Sequence, residues 1–198
     1  MHTRSFTLWL ALATLLWPVL AYAHVEEGGA VGFLAGMHHP VSGWDHILAM
    51  VAVGLWGAQL RKPAIWLLPV AFPLVMAFGG FLGLIDVPIP GIEVGIALSA
   101  VVLGIMVLGN FRPPLWVALL LVAVFAVFHG HAHGTELPAG GNGMLYSIGF
   151  VISTGLLHMC GIALGMLNDV KRGELLVRAA GACVLLGGLF FLKGAVLG

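Results

Sequence analysis

The residues able to do chemistry fall into a few short stretches. His38, His39, Asp45 and His46 lie close together, Glu93 stands alone, and His129, His131 and His133 precede Glu136; His158 follows further on. Imidazole nitrogen and carboxylate oxygen are together the ligand set of a borderline divalent cation. Spacing adds to this. His39, Gly43, His46 and Met50 follow i, i+4, i+7, i+11 and so predict one helical face, with His38 and Asp45 on the adjoining stripe. His129 and His133 are an i, i+4 pair, which lets two imidazoles reach one metal. His131 turns away from that pair if the helix persists; if the helix ends at Gly130, all three can wrap a cation from a loop. Blander readings compete with each signal. Asp45 and His46 could be a buried pair that only fixes packing. Glu93 could answer a helix dipole. The His-rich tract could be an outer cation trap without transport, and a single membrane His such as His158 often just bonds a neighbouring helix.

These groups must be positioned by apolar elements. The 198 residues are 61% hydrophobic and 8% charged, with a mean hydropathy of +1.09. That is too little charge to cover a water-facing surface, since soluble domains carry roughly 25%. No basic face exists for nucleic acid, and two cysteines make no disulfide scaffold. The expected fold class is all-α: a polytopic membrane bundle of about six transmembrane helices, each needing about 20 mostly apolar residues. The spans read as Gly43–Leu60, Ala64–Ile85, Gly91–Gly109, Pro114–His133, Gly143–Leu167 and Leu176–Leu197, with proline and glycine clusters between them. The run from Gly28 to Met37 is too short to span and reads as an interfacial or re-entrant piece. Gly79/Gly83 and Gly161/Gly165 are GxxxG pairs suited to close helix contact. Trp44, Trp56, Trp66 and Trp116 mostly lie near helix ends, as an interfacial belt requires.

Residues 1–23 read as a cleavable signal peptide, with Arg4, an apolar stretch from Phe6 to Leu20, and Ala21-Tyr22-Ala23 as the cleavage site; the competing reading is an uncleaved first helix. Residues 24–198 then form one bundle domain. Its first residue, His24, offers an α-amino group and a ring nitrogen as a bidentate chelator. With the mature N-terminus outside, the connections after the first, third and fifth spans are cytoplasmic. They carry Arg61-Lys62, Arg112 and Lys171-Arg172, whereas the outer connections hold no Lys or Arg. This positive-inside asymmetry supports a multi-pass protein of the bacterial inner membrane with a periplasmic N-terminus.

Three motifs are familiar together. The run from His39 to His46 followed by Met50 resembles the HPxxGxDHxxxM signature of the HupE/UreJ family. Ile92 to Ser99 resembles that family's acidic stretch, and Phe128 to Glu136 its His-rich segment. The resemblance covers essentially the whole mature chain. It implies a small nickel or cobalt permease tied to hydrogenase or urease maturation, with His39, Asp45, His46, Glu93, His129 and His133 handling the metal and His24 and His131 joining them. The expected function is therefore secondary transport, not catalysis. There is no resident cofactor; the divalent ion is the cargo, nickel or cobalt, with zinc and copper left open. No P-loop sequence is present to couple uptake to ATP. The bilayer is the other partner, and a homo-oligomer stays open. A haem-binding electron-transfer protein, or a membrane metal-binding accessory without transport, are the alternatives.

Overall fold

The computed structural model describes residues 29–136 and 142–197. The signal segment, His24 and most of the connection after Glu136 lie outside the described residues. Those described are helical throughout, without a strand. In chain order the helices are α1 (Gly29–Ser42), α2 (Trp44–Leu60), α3 (Ala64–Leu84), α4 (Ile92–Leu108), α5 (Leu115–Thr135), α6 (Gly143–Gly165) and α7 (Gly173–Leu197), with a 3-10 turn, Met166–Asp169, after α6.

The expected helix bounds agree with α2 to α7 to within a turn at each end, because the breakers act where the sequence puts them. Gly91 adopts a left-handed φ of 70° before α4. Pro114 precedes α5, supplying the fixed φ of a helix start. Asn142 caps α6, its side chain accepting from the Leu145 N–H at 3.1 Å. Four segments are long and apolar enough to cross a membrane: Ala64–Leu84, Leu115–Thr135, Gly143–Asp169 and Gly173–Leu197; Ile92–Leu108 is apolar but shorter. Large apolar side chains such as Leu74, Phe78, Leu120, Leu156, Leu186 and Phe190 face outward. In water that coat would be an association liability; in lipid it is the solvated face. The chain is a multi-pass helical membrane protein.

Helix α2 is the hub. It packs against α1, α3, α4, α6 and α7, while α3 pairs with α5, α4 with α7 and α1 with α6. Ala49, Met50, Ala52, Val53, Leu55 and Trp56 of α2 are wholly buried. Both expected glycine pairs lie at close contacts. Gly79 and Gly83 of α3 face the Val127 and His131 carbonyls of α5, and Gly161 of α6 faces the Val51 carbonyl of α2. A Cβ on Gly130 of α5 would stand 2.0 Å from the Met76 carbonyl oxygen. Such backbone-to-backbone approach is what small residues permit.

Three expectations need correction. The short piece before the first span runs further than expected: it is a 14-residue helix from Gly29 to Ser42, through Pro40, still shorter than a span needs, and Gly28 lies outside the described residues. His38 and His39 therefore sit on α1, and the single helical face drawn from His39 to Met50 is broken at Gly43. That glycine is extended, with φ −105° and ψ 121°, and redirects the chain so that α1 lies along α6. Trp56 is not interfacial. It is fully buried and donates its indole N–H to the Phe111 carbonyl at 3.0 Å. Trp44, Trp66 and Trp116 are exposed near helix starts, Trp44 at 71%.

The two ends of the bundle differ. At one end Arg61 pairs with Asp169, and Arg178 donates to the Leu108 carbonyl at 2.8 Å, knitting together the three basic connections. At the other end stand the imidazoles and carboxylates.

Candidate metal centre

Four elements bring the polar groups to one cavity of about 410 Å³. The α1–α2 junction supplies His39, Asp45 and His46; α4 supplies Glu93; and the last turns of α5 supply His129, His133 and the Glu136 that follows. Because α5 persists as a helix to Thr135, His129 and His133 stack one turn apart on its inner face. Its position is set by the close approach to α3 at Gly130. His39 and His46 reach the same point from two different helices.

His133 is the pivot. Its Nδ1 lies 2.8 Å from His39 Nε2, and its Nε2 lies 3.3 Å from His46 Nδ1. His46 Nδ1 in turn stands 3.3 Å from His129 Nδ1. The result is two triads sharing one imidazole: His39, His133 and Glu136 towards the exposed side, and His46, His129 and His133 in the buried interior. The Glu136 carboxylate is 3.2 Å from His39 Nε2. Two nitrogens bound to one ion at about 2.1 Å stand about 3.0 Å apart at a right angle and about 3.4 Å in a tetrahedron. The inner spacings fall in that window.

The tautomer of His129 follows from its neighbour. Ser99 on α4 donates its hydroxyl to the Ile96 carbonyl at 2.6 Å. Its oxygen is then left to accept from His129 Nε2–H, 2.9 Å away. That places the lone pair on His129 Nδ1, the nitrogen facing His46. An outer hydrogen bond that orients an imidazole in this way raises its basicity as a ligand. Glu136, beyond the end of α5, has its carboxyl held below the usual carboxylate range, by His133 first and His39 next, against the opposing effect of burial. It remains an anion in mildly acidic conditions.

Asp45 and Glu93 line the same cavity but occupy a different part of its wall. Both sit in the first turn of a helix, where the dipole favours a negative charge. Asp45 accepts from the His46 backbone N–H at 2.8 Å. Both also line a neighbouring cavity with Lys193 of α7. The dipole reading of Glu93 and the cavity reading therefore coexist. His131 departs from the candidate set. With the helix continuous it turns away, is buried, and donates from Nε2 to the Val87 carbonyl at 2.7 Å, tying α5 to the α3–α4 connection. His38 is exposed. Glu136 and Ser99 are the residues that spacing alone passed over. The i, i+3 relation of His133 and Glu136 was a usable signal; nothing local marked Ser99.

These features define a class: a helical membrane protein with an imidazole- and carboxylate-lined chamber at one end of the bundle and basic connections at the other. The chain belongs to the HupE/UreJ family, whose model, described as HupE / UreJ protein, matches residues 12–191. It is 46% identical over 183 residues to protein HupE of Rhizobium leguminosarum bv. viciae, which covers 92% of this chain and 95% of that protein. No solved structure matches it.

Proposed function

We propose that this protein is a secondary permease that brings nickel or cobalt into the cell, serving hydrogenase or urease maturation. The observation that carries the reading is the pair of triads joined through His133. Exposure falls steadily along them, from Glu136 through His39 and His133 to His46 and His129, the last only 1% exposed. Such a gradient of ligands lets an ion trade its hydration shell for protein donors stepwise. An ion captured by His39 and Glu136 moves to His46 and His129 while His133 swings its coordination from Nδ1 to Nε2. Asp45 and Glu93 supply negative potential that offsets desolvation of a doubly charged ion.

The finer assignments belong to the same proposal. The passage crosses the bacterial inner membrane in six spans, α2 to α7, after removal of the signal peptide, with His24 outside as a capture ligand. Inward movement needs no ATP: a divalent ion gains about 4.6 kcal/mol through 100 mV, inside negative. That corresponds to roughly a thousandfold accumulation.

The test is uptake of radiolabelled nickel by cells expressing the protein, with cobalt, zinc and copper as competitors. Competition by cobalt, with loss of uptake in His46→Ala and His133→Ala at equal protein level, is the expected result. Uptake of none of the four ions would remove the permease reading and leave a metal-binding accessory.

A further inference from the structure

The polar groups do not end at His129. Phe72 of α3, wholly buried, has its ring centroid 5.6 Å from that of His129 and 5.7 Å from that of His158 on α6. His158 is 1% exposed, and neither of its ring nitrogens has a hydrogen-bond partner. A neutral imidazole carries one N–H donor and one lone pair, and buried groups of this kind are nearly always paired. Leucine or phenylalanine would fill the same space without leaving two polar atoms orphaned.

The surroundings of His158 contain oxygen donors that are themselves unused. Pro73 has no N–H, so the Pro69 carbonyl four residues earlier on α3 lacks its helical donor. That carbonyl stands beside the His158 ring, outside hydrogen-bond geometry. Thr154, one turn earlier on α6, is fully buried with its hydroxyl oxygen unpartnered. Depth separates this group from the chamber. At 1.5 Å per residue, His158 lies about 22 Å along α6 from its chamber end, against about 9 Å for His129 along α5. The backbone agrees, since the His158 carbonyl abuts Gly54 in the middle of α2.

We propose that His158 is a second, deeper metal-ligating station, with the Pro69 carbonyl as its oxygen partner, and that it receives the divalent ion after the outer triads. The inference rests on the permease reading. The step is ligand exchange alone: one imidazole nitrogen and one carbonyl oxygen, with water completing the shell, replace the nitrogens of His46, His129 and His133, with no change in oxidation state. Nickel ion is the probe, used with the full-length protein.

His158→Leu removes the orphaned nitrogens while keeping an apolar side chain in the core. The expected protein is as abundant in membranes as wild type and binds nickel in detergent with wild-type affinity by equilibrium dialysis. Its maximal uptake rate nevertheless falls by about tenfold or more, with the half-saturating concentration unchanged. His158→Gln, which keeps a polar amide, is a second variant should leucine fail to accumulate; its uptake also falls, but less than that of the leucine variant. Wild-type uptake in either variant at equal abundance overturns the proposal. So does a parallel loss of nickel binding and uptake, because His158 would then be supporting the outer chamber. If wild-type cells take up no ion at all, the permease reading fails and takes this station with it. If wild type transports and the variants transport equally, only the station falls.

Discussion

His133 is the side chain on which the chamber turns, because its two nitrogens serve different triads. His133→Ala should abolish uptake, whereas Glu136→Gln, which leaves all four imidazoles in place, should raise the half-saturating concentration more than it lowers the maximal rate. Kinetics of radiolabelled nickel uptake separate the two. Ser99 offers a sharper check, since it is not itself an expected ligand and acts only through His129. Ser99→Ala deletes the acceptor that holds the proton on His129 Nε2, and nickel affinity should fall by roughly tenfold or more by equilibrium dialysis. An unchanged affinity would detach the tautomer from metal binding. Acidity acts on the same atoms. Metal ions bind neutral imidazole and compete with protons for its nitrogen, so nickel binding should weaken as the medium is acidified. Glu136, with its lowered pKa, stays ionised in mildly acidic conditions. Its contribution to stability is present above the unfolded carboxylate range and disappears only as pH falls through the lower folded value. Equilibrium dialysis from pH 8 to pH 5 should show affinity falling with pH, and a constant affinity would argue against imidazole ligation.

At the scale of elements, the chamber depends on α5 lying against α3. Gly130→Ala would drive a methyl group into the Met76 carbonyl, and a clash with backbone costs at least about 1–3 kcal/mol. Gly155→Ala on α6 meets nothing within 4 Å and should be neutral. Thermal unfolding of the two purified proteins in detergent tests the contrast; equal melting temperatures would mean that α3 and α5 can part without cost. The α1–α2 junction is the second device. Its break at Gly43 sends His39 to the chamber from a different helix than His46, so two imidazoles approach His133 from different directions. The repeat of His39, Gly43, His46 and Met50 was plain in the sequence and its helical interpretation was not, because a glycine can sit inside a helix or break it with equal local ease. The i, i+4 pair in α5 was legible for the opposite reason: an unbroken apolar helix leaves the spacing only one meaning.

The whole molecule is polarised, with basic connections at one end and the chamber at the other. If the chamber faces outward, the membrane potential pulls a divalent ion from the ligands towards the basic end, and the deeper station lies on that route. Collapsing the potential with a potassium ionophore in high-potassium medium should cut steady-state nickel accumulation by about two orders of magnitude or more in cells that held about 100 mV. Accumulation insensitive to potential would point to another driving force. Orientation is checked separately by cysteines placed one at a time at Lys171 and at Asn142: an impermeant thiol reagent added outside intact cells should label the second and spare the first.

By itself the sequence determined the helical membrane class, the ends of α2 to α7 to within a turn and the residue types available for a divalent cation. Apolar length, proline and glycine punctuation, and the scarcity of charge are local properties that no packing arrangement can reverse. It also singled out most of the chamber wall, because an ionisable group among apolar residues stands out wherever it lies. Only the tertiary structure decided which of these groups meet. Contacts between α1, α2, α4 and α5 join residues far apart in the chain, so spacing could neither pair His39 with His133 nor assign Ser99 to His129. It could not tell that His131 serves the backbone, or that Trp56 is a core residue rather than an interfacial one. Those outcomes follow from how close the helices come, and that distance is set where glycines on neighbouring helices face each other's carbonyls.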